Sequence, residues 1–444
     1  MKYDILIRNC SMVTPSGTVE ENRMIAVSGN RIVKIGSALE MIDDTAVEII
    51  DGKDRLAMPG LIDCHTHLCQ QLLRGRVSDE YPMRWTRFLV PFESGLDPED
   101  VYWSAMLGCL EMIKSGTTAF ADSGGVHMHR VADAVIASGM RAAIARSTMD
   151  SGSVVCGEMK QTTEEAITKT EELYREYQGA GDGRVDIWFA LRQLMTCSPA
   201  LVEAVGAKAK QYRTGIHMHL CEHKDEVSFC LQNYKLRPSA FLEKMGVLGP
   251  NLLTAHNVVL SEDDITRLAE YQVKVIHCPR GNLTSHGFSK TPQLLEKGAI
   301  VSLGTDGAAS NNLNLFDEVK VLRHAMIAYW GLPVFDPVVM PCGELLKMIT
   351  TSAAAAFGKQ SQLGVLEAGR LADLILIDIS QPHLSVTNNL INTLIESADG
   401  HDVTDSVING KIVMRGRKVL TIDEERVIAV CKERLAGIRK RTGV

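Results

Sequence analysis

The sequence predicts a (β/α)8 TIM barrel with a small β-sandwich domain that is built from both chain ends. Between residues 59 and 364, short apolar strands alternate with longer helical stretches, which is the pattern of a parallel barrel. Outside that range, short alternating strands are joined by tight turns. At 444 residues the chain exceeds the size at which single cores stop growing, so two domains are expected. We therefore assign residues 59–364 to the barrel, and residues 1–58 and 365–444, with a C-terminal helix, to the composite β-sandwich domain.

The two chain ends share one strand-and-turn pattern. N-terminal strands are predicted at Ile5–Ile7, Met12–Thr14, Met24–Ser28 and Arg31–Ile35. C-terminal strands are predicted at Asp373–Asp378, Val403–Ile408 and Lys411–Met414. The dipeptides Gly29-Asn30 and Asn409-Gly410 each separate two of these strands, and such dipeptides are hairpin signals. We therefore expect the two ends to pair into one β-rich domain.

The middle of the chain supplies the elements of the barrel. Strands are predicted before His65 and at Thr117–Asp122, Arg141–Ala145, Ile187–Leu191, Gly215–Leu220, Leu252–His256, Lys274–His277 and Ala299–Gly304. Helices are predicted at Pro98–Ser115, Val131–Ser138, Thr163–Tyr177, Pro199–Gln211, Ser261–Tyr271 and Phe316–Tyr329. Barrel enzymes carry their catalytic groups at the C-terminal ends of the strands, so candidate site residues are expected there.

Composition argues against several classes of function. The net charge of −7 and the pI near 6.0 argue against a nucleic-acid-binding surface, which carries a basic excess. No run of about 18 apolar residues occurs, so no membrane span is expected. The first residues, Lys2 to Ile7, have the pattern of a strand and not of a signal peptide. The 11 cysteines are scattered and form no Cys-x-x-Cys pair, which predicts a reduced, cytoplasmic protein.

Histidines and one aspartate mark four of the predicted strand ends. The first strand ends with His65 and His67, the fifth with His217 and His219 followed by Glu222, the sixth with His256 and the eighth with Asp306. Side chains two apart on a strand point to the same side, so His65 and His67 are able to bind one ion together. Each residue alone has an ordinary explanation, such as a buried histidine or a turn at Asp306. Their joint occurrence at C-terminal strand ends predicts one site.

Such a cluster predicts a metal centre. Three histidines and a carboxylate, with one position left open for water, describe a catalytic site for Zn²⁺ or Fe²⁺, because neutral imidazole and carboxylate suit borderline cations. Mg²⁺ would prefer more oxygen ligands. No lysine in the middle of the barrel is placed to form a bridging carbamate, so we expect one divalent ion. The residues alone leave His217 and His219 as equal candidates for the third histidine.

Several stretches carry a resemblance to a known family. They are Pro59-Gly60-Leu61-Ile62-Asp63-Cys64-His65-Thr66-His67, His219-Leu220-Cys221-Glu222, His256, His277-Cys278-Pro279 and Leu303-Gly304-Thr305-Asp306-Gly307-Ala308-Ala309-Ser310-Asn311-Asn312. The chain resembles the amidohydrolase superfamily, in the branch that contains methylthioadenosine/S-adenosylhomocysteine deaminases, guanine deaminases and s-triazine hydrolases. The resemblance extends over nearly the whole chain.

The resemblance implies the reaction and the roles of the site residues. Its implied metal ligands are His65, His67, His219 and Asp306, because in this branch a His-x-x-Glu segment supplies both a ligand and an acid–base group. The implied reaction is hydrolytic deamination of an aromatic nitrogen heterocycle. In it, Asp306 takes a proton from water, Glu222 protonates the ring nitrogen beside the attacked carbon, and His256 orients the leaving substituent. A homodimer or homotetramer is expected on the same grounds.

Two residues bear on whether the substrate carries a ribose. Glu93 lies where nucleoside deaminases of this branch bind ribose hydroxyls, although an ordinary loop glutamate is an equal alternative. Cys197 lies near the place where adenosine-type members carry a histidine. That departure favours a different aminated base, a pterin or a triazine.

Other candidate substrate contacts surround the predicted metal centre. Arg192 and Gln193 follow the fourth strand and are candidates for reading a polar ring edge. Trp85 and Phe88 lie in the long loop after the first strand. They are candidates for stacking on the substrate, or alternatively for packing in a helix core.

Three kinds of function are therefore open. The first, which we expect, is a deaminase of a purine nucleoside or related base, similar to the methylthioadenosine/S-adenosylhomocysteine deaminases, with a guanine, cytosine or pterin deaminase as an alternative. The second is a hydrolase that displaces chloride or an amine from an electron-poor ring such as a triazine. The third is a non-catalytic scaffold, against which the intact ligand set argues. The expected partner is a small heterocyclic substrate, with neither nucleic acid nor membrane.

Overall fold

Two sheets organise the part of the chain that the structure describes. The structure is a computed structural model that describes residues 2–41, 43–81, 83–153, 155, 157–309, 311–336 and 338–444. Ser310, which belongs to the last of the stretches that carry the family resemblance, lies outside the described residues. One sheet is a parallel barrel, and the other is a mixed sheet that combines strands from both chain ends. This arrangement agrees with the predicted fold class.

The strands and helices are numbered in chain order. The strands are β1 Lys2–Val13, β2 Val19–Ser28, β3 Arg31–Ser37, β4 Thr45–Asp51, β5 Arg55–Pro59, β6 Leu61–His67, β7 Thr117–Asp122, β8 Arg141–Ala145, β9 Val185–Leu191, β10 Ile216–Leu220, β11 Leu252–His256, β12 Lys274–His277, β13 Ile300–Leu303, β14 Asp306–Gly307, β15 Leu374–Asp378, β16 Val403–Ile408, β17 Lys411–Arg415 and β18 Lys418–Val419. The α-helices are α1 Val90–Ser94, α2 Pro98–Lys114, α3 Met128–Ser138, α4 Thr163–Tyr177, α5 Ala180–Gly183, α6 Pro199–Tyr212, α7 Lys224–Tyr234, α8 Pro238–Lys244, α9 Glu262–Glu270, α10 Pro279–Ser285, α11 Thr291–Glu296, α12 Leu315–Met326, α13 Cys342–Ile349, α14 Thr351–Ala356, α15 Pro382–Ser385, α16 Leu390–Ser397 and α17 Glu424–Thr442.

The barrel consists of parallel strands β6 to β13 in chain order, and a split last strand closes it. β13 pairs with β12, whereas the two residues of β14 pair with Thr66 and His67 of β6. The predicted eighth strand, Ala299–Gly304, therefore ends early, and Asp306 belongs to a short strand and not to a simple turn. Gly304 lies at the break, where a Cβ atom would stand 2.6 Å from Cβ of His65. A glycine at 304 thus lets the last strand approach the first.

The terminal sheet joins the two chain ends. β5 pairs antiparallel with β15, which places the strand leading into the barrel beside the first strand after it. The first two of the four predicted N-terminal strands, Ile5–Ile7 and Met12–Thr14, are one strand, β1, which continues through an irregularity between Ile7 and Met12. Arg8 and Asn9 interrupt the apolar pattern there, and Asn9 adopts a positive φ of 59°. The apolar pattern of the sequence is therefore interrupted at Arg8 and Asn9, whereas the hydrogen-bonded strand continues through them.

Apolar side chains form separate cores within this architecture. The largest core packs the barrel strands against the surrounding helices. A second core fills the barrel interior below the strand ends and includes Ile62, Cys64, Ala119, Ala143 and Trp188. A third packs terminal strands from both chain ends together. Among the described residues, no helix combines the length and apolar character needed to cross a membrane.

A buried ion pair connects the barrel to the terminal sheet. Arg141, the first residue of β8, donates from Nε and Nη2 to the carboxylate of Asp373, over 2.7 Å and 3.1 Å. Nη2 also donates to Oδ1 of Asn409 over 3.0 Å. Both charged side chains are at most 3% exposed. Because each charge is desolvated, the pair is stable only while both partners are present.

We predict that Asp373→Asn lowers the free energy of unfolding by about 3 to 5 kcal/mol, because it leaves the buried guanidinium without its counter-charge. The midpoint of urea or thermal denaturation would measure this loss. Lys411→Ala is the matched control, because it breaks a nearby pair with Asp182 whose side chains are 70% and 68% exposed. The control should leave the midpoint unchanged. Equal midpoints for the two variants would contradict the prediction.

Candidate functional site

The C-terminal ends of four barrel elements bring five of the predicted site residues together. These are His65 and His67 on β6, His219 on β10, His256 on β11 and Asp306 on β14. Ligand atoms of His65, His67 and Asp306 lie within 4.8 Å of one another, and so do those of His65, His219 and His256. The predicted clustering of these strand ends is therefore observed.

Backbone carbonyls fix the orientation of two of the imidazoles. Nδ1 of His67 donates to the carbonyl of Gly124 over 3.1 Å, and Nδ1 of His219 donates to the carbonyl of Arg192 over 2.8 Å. A neutral imidazole that donates from Nδ1 carries a lone pair on Nε2. The two Nε2 atoms lie 3.2 Å apart. Two lone pairs at that distance repel each other, and a cation between them removes the repulsion.

His65 completes the imidazole cluster with the help of His217. Nδ1 of His65 lies 2.8 Å from Nε2 of His217, and when it donates this bond its own Nε2 is left unprotonated. That Nε2 lies 3.5 Å from Oδ1 of Asp306, which is 3.7 Å from Nε2 of His67. The geometry thus favours His219 over His217 as the third histidine of the metal site, because Nε2 of His217 is already hydrogen-bonded to His65.

The charge states of these groups suit a divalent cation. Burial lowers the pKa of His65, His67 and His219, which keeps the imidazoles neutral at neutral pH. Burial raises the pKa of Asp306, but the nearby histidines outweigh that effect and lower it. Neutral imidazoles around an ionised carboxylate match the preferences of borderline cations. The residues present therefore fit one divalent metal ion.

Glu222 lies beside the cluster and outside it. It follows β10, directly after Cys221, whose φ of 51° turns the chain toward the site. Its Oε1 lies 3.8 Å from Nε2 of His256 and accepts a hydrogen bond from Nε2 of His286 over 3.0 Å. Burial raises the pKa of Glu222, but the charge of His256 and the bond from His286 outweigh it and lower the pKa to about 2.

Strained backbone positions two of the reactive groups. His256 and Asp306 have φ values of 74° and 61°, in a region that side chains other than glycine rarely adopt. Such conformations persist only where the surroundings enforce them, and they concentrate at functional sites. Nδ1 of His256 is held 3.0 Å from Oδ1 of Asn282. Its Nε2 is thereby directed toward Glu222 and the imidazole cluster.

The structure brings Glu93 and Arg192 together in one buried pair. The Arg192 guanidinium donates to both carboxylate oxygens of Glu93, each over 3.3 Å. Nε2 of Gln70 donates to the same carboxylate over 2.5 Å. Glu93 is fully buried and Arg192 is 4% exposed. A carboxylate with these partners has little remaining capacity for substrate hydroxyls.

The remaining predicted contacts are placed less centrally. Trp85 is half-buried, with its ring 5.9 Å from the guanidinium carbon of Arg192. Gln193 is half-buried, and its carbonyl accepts from Thr196 to close a turn. Phe88 is buried, which agrees with the alternative prediction that it packs in a helix core. Cys197 is buried as well, and its thiol donates to the carbonyl of Thr148 over 3.3 Å.

Sequence reasoning missed several residues that shape the site. His286, Asn282 and Gln70 contact predicted site residues. His286 lies past the end of a predicted strand, in a segment of Gly, Ser and Thr. No spacing rule connects it to Glu222. His217 was a candidate ligand in the sequence, and in the structure its Nε2 lies 2.8 Å from Nδ1 of His65.

Comparisons with known proteins agree with this geometry. The chain is 39% identical over 443 residues to a 5-methylthioadenosine/S-adenosylhomocysteine deaminase from Pelotomaculum thermopropionicum, covering 99% of each protein. An adenosine deaminase structure from Xanthomonas campestris with bound zinc superposes with a TM-score of 0.92 at 28% identity, over 99% of each chain. A zinc complex of an atrazine chlorohydrolase from Arthrobacter aurescens gives 0.88 at 25% identity, over 97% of this chain and 100% of that one.

The family model described as the amidohydrolase family matches residues 56–413, a range that contains every predicted site residue. The fold comparison covers the terminal sheet as well as the barrel. The two agree with the resemblance that the strand-end residues carry. This chain belongs to the amidohydrolase family.

Proposed function

We propose that this protein is a metal-dependent hydrolytic deaminase that releases ammonia from an aminated nitrogen heterocycle. The family makes the chain a hydrolase of carbon–nitrogen bonds. The observation that carries the proposal is Glu222, a carboxylate beside the metal ligands but outside their cluster. Hydrolysis of an amide needs no ring protonation, whereas deamination of a purine, a pyrimidine or a triazine does. Glu222 is placed to supply that proton.

The proposed cofactor is one Zn²⁺ ion, with Fe²⁺ as the alternative, held by His65, His67, His219 and Asp306. Zinc is supported by the donor set and by the zinc-containing structures of two relatives. When bound, such an ion acidifies water and so supplies a nucleophile at neutral pH. The four ligands come from strand ends, which hold them in place without large rearrangement.

The protein's own groups then perform the proton transfers. Asp306, ionised because its pKa is lowered, accepts a proton from the attacking water. Glu222, which is ionised because its pKa is lowered, takes the other proton of the water and delivers it to the ring nitrogen next to the attacked carbon, so that electron density leaves that carbon as the new bond forms. His256 orients the amino substituent and stabilises the tetrahedral intermediate. Asp306 then passes its proton to the amino group, which leaves as ammonia.

An adenosine-type nucleoside is the substrate that we propose first. This substrate is supported by a relative that is 39% identical over 99% of the chain. That relative is a 5-methylthioadenosine/S-adenosylhomocysteine deaminase. In this proposal Glu93 receives ribose hydroxyls, for which it must exchange part of its pairing with Arg192 and Gln70. Trp85, Arg192 and Gln193 line the approach to the ring and read its edge.

A second candidate substrate is favoured by the pairing of Glu93 with Arg192 and Gln70. Because Glu93 is already engaged by Arg192 and Gln70, a heterocycle without ribose would fit the site with no exchange of partners. Guanine, cytosine, a pterin, or a triazine that loses chloride or an alkylamine belong to this class. The reacting groups would be the same, and only the leaving group would differ.

We also propose the setting in which the protein works. Residues 59–364 form the catalytic barrel, and residues 1–58 and 365–444 form the β-sandwich domain, supported by the pairing of β5 with β15. A cytoplasmic location is supported by ten buried cysteines that are free thiols. A homodimer or homotetramer acting on a small molecule, without nucleic acid or membrane, completes the proposal.

The first prediction tests the reaction. The zinc-loaded protein should release ammonia from 5-methylthioadenosine, S-adenosylhomocysteine or 5-deoxyadenosine, followed with a coupled ammonia assay. Adenine, guanine, cytosine, a pterin and a chlorotriazine are tested in parallel. Ammonia only from a compound without ribose would support the second candidate. Chloride release from the triazine, with ammonia from none of the amino compounds, would refute the deaminase.

A second prediction separates the acid from the ligands. Glu222→Gln should lower kcat by about 10²-fold or more, because an amide cannot deliver a proton, and should leave the metal content at wild-type level. Elemental analysis measures the metal, and steady-state kinetics measure the rate. Asp306→Asn is the comparison, because it changes a ligand together with the base and should lower both. Metal loss in Glu222→Gln would show that Glu222 is itself a ligand.

A third prediction concerns His217. His217→Leu should weaken zinc affinity by about 10- to 100-fold, because Nδ1 of His65 loses the acceptor that fixes its orientation. His217→Gln keeps an acceptor oxygen and should recover most of the affinity. Competition with a chromophoric chelator measures both variants without any substrate. Equal affinities for His217→Leu and the wild type would contradict the role assigned to His217.

A further inference from the structure

The short helix α10 contacts three reactive groups of the site. A side chain at Gly281 would begin 3.2 Å from Oδ2 of Asp306, so the backbone of α10 packs directly against that carboxylate. Asn282 holds Nδ1 of His256 at 3.0 Å. His286, at the end of the helix, donates to Glu222 over 3.0 Å. One helical turn therefore spans the acid–base side of the site.

The spacing of Asn282 and His286 explains how one helical turn contacts both His256 and Glu222. Asn282 and His286 are four apart, so they lie one above the other on the same face of the helix. The amide of His286 also donates to the carbonyl of Asn282 over 2.7 Å, which ties the two positions together. At its other end, α10 is anchored where the amide of Arg280 donates to the buried carboxylate of Glu318 over 3.0 Å.

The contact of His286 with Glu222 is more than a surface ion pair. Their side chains are only 20% and 25% exposed, and the ring of His223 lies 5.6 Å from that of His286. Burial lowers the pKa of His286, but its hydrogen bond to Glu222 and the charge of that carboxylate outweigh burial and raise it. A glutamate side chain has several rotamers, so a partner that binds the carboxylate of Glu222 favours one orientation.

We infer that His286 is a positioning residue, which holds the carboxylate of Glu222 at the place from which it protonates the substrate ring. Asn282, on the same turn, holds His256, so α10 orients both groups that flank the metal ligands. This inference rests on the proposed deaminase function for its kinetic consequence. The contact between His286 and Glu222 does not depend on it.

The kinetic test uses two substitutions of the same residue. His286→Leu keeps the bulk but removes the donor, and it should lower kcat by about 10- to 100-fold, a part of what a general acid contributes. KM and metal content should stay within about threefold of wild type, since His286 pairs with Glu222 and with none of the proposed metal ligands. His286→Gln keeps an N–H donor and should recover most of kcat. A purely structural role would lower the amount of folded enzyme and would not be rescued in this way.

His324→Leu is the matched control, because it removes an imidazole that is 67% exposed on α12 and pairs with Glu396, which is no site residue. It should behave as wild type. A His286→Leu enzyme with wild-type kcat would overturn the inference. So would a rise in KM with kcat unchanged, which would mean that His286 contacts the substrate and does not act through Glu222.

A spectroscopic test decides the contact without any turnover. In zinc-loaded protein with isotopically labelled histidine, the His286 resonance is identified by its absence from His286→Leu. Its titration midpoint should fall by about one pH unit in Glu222→Gln, because the carboxylate that favours the imidazolium is gone. An unchanged midpoint would overturn the inference. If no compound is deaminated, the proposed function fails, and this measurement still decides whether Glu222 is the partner of His286.

Discussion

The site depends on one electrostatic constraint: unprotonated imidazole nitrogens directed at one another. Nε2 of His67 and Nε2 of His219 lie 3.2 Å apart, and each ring is locked by a carbonyl that accepts from its Nδ1. Neither ring can relieve the repulsion by moving its proton to Nε2 without abandoning that carbonyl. Burial disfavours the charged imidazolium as well. A cation is the partner that satisfies both nitrogens. The need for a metal therefore follows from the backbone hydrogen bonds that fix the two rings.

Buried carboxylates that touch no substrate hold the strand ends in this arrangement. Each accepts hydrogen bonds from main-chain amides next to a site residue: Asp63 from His65 and Thr305, Asp122 from Leu68 and Gly124, Glu226 from Leu194 and Cys221, and Glu318 from Arg280. Burial raises the pKa of Asp63, Asp122 and Glu226 to about 7, because it disfavours the charged form. The amide donors offset that cost. Positioning the catalytic groups therefore requires acids with no part in the reaction.

Features that depend on neighbouring residues could be predicted from the sequence, whereas contacts between residues far apart in the chain could not. Strands such as Leu252–His256 were predicted with correct ends, because an apolar run and the residues that bound it are neighbours in the chain. Placing the strand ends on one face of a barrel then brought the metal ligands together. Nothing local, however, predicts that Glu93 pairs with Arg192, 99 residues away, since either side chain alone resembles an ordinary polar contact. His286 was missed for the same reason, because its contact with Glu222 exists only in the folded chain.

Arg192 shows how such a site can change its substrate while it keeps its metal. Its carbonyl orients His219, whereas its guanidinium engages Glu93 in the region assigned to substrate recognition. The carbonyl is present whichever side chain occupies position 192, so replacing the guanidinium alters the pocket and leaves the imidazole locked. His67 is oriented in the same way, by the carbonyl of Gly124. Main-chain atoms thus orient these two imidazoles, whereas side chains shape the pocket, so the pocket can change while the imidazoles keep their orientation.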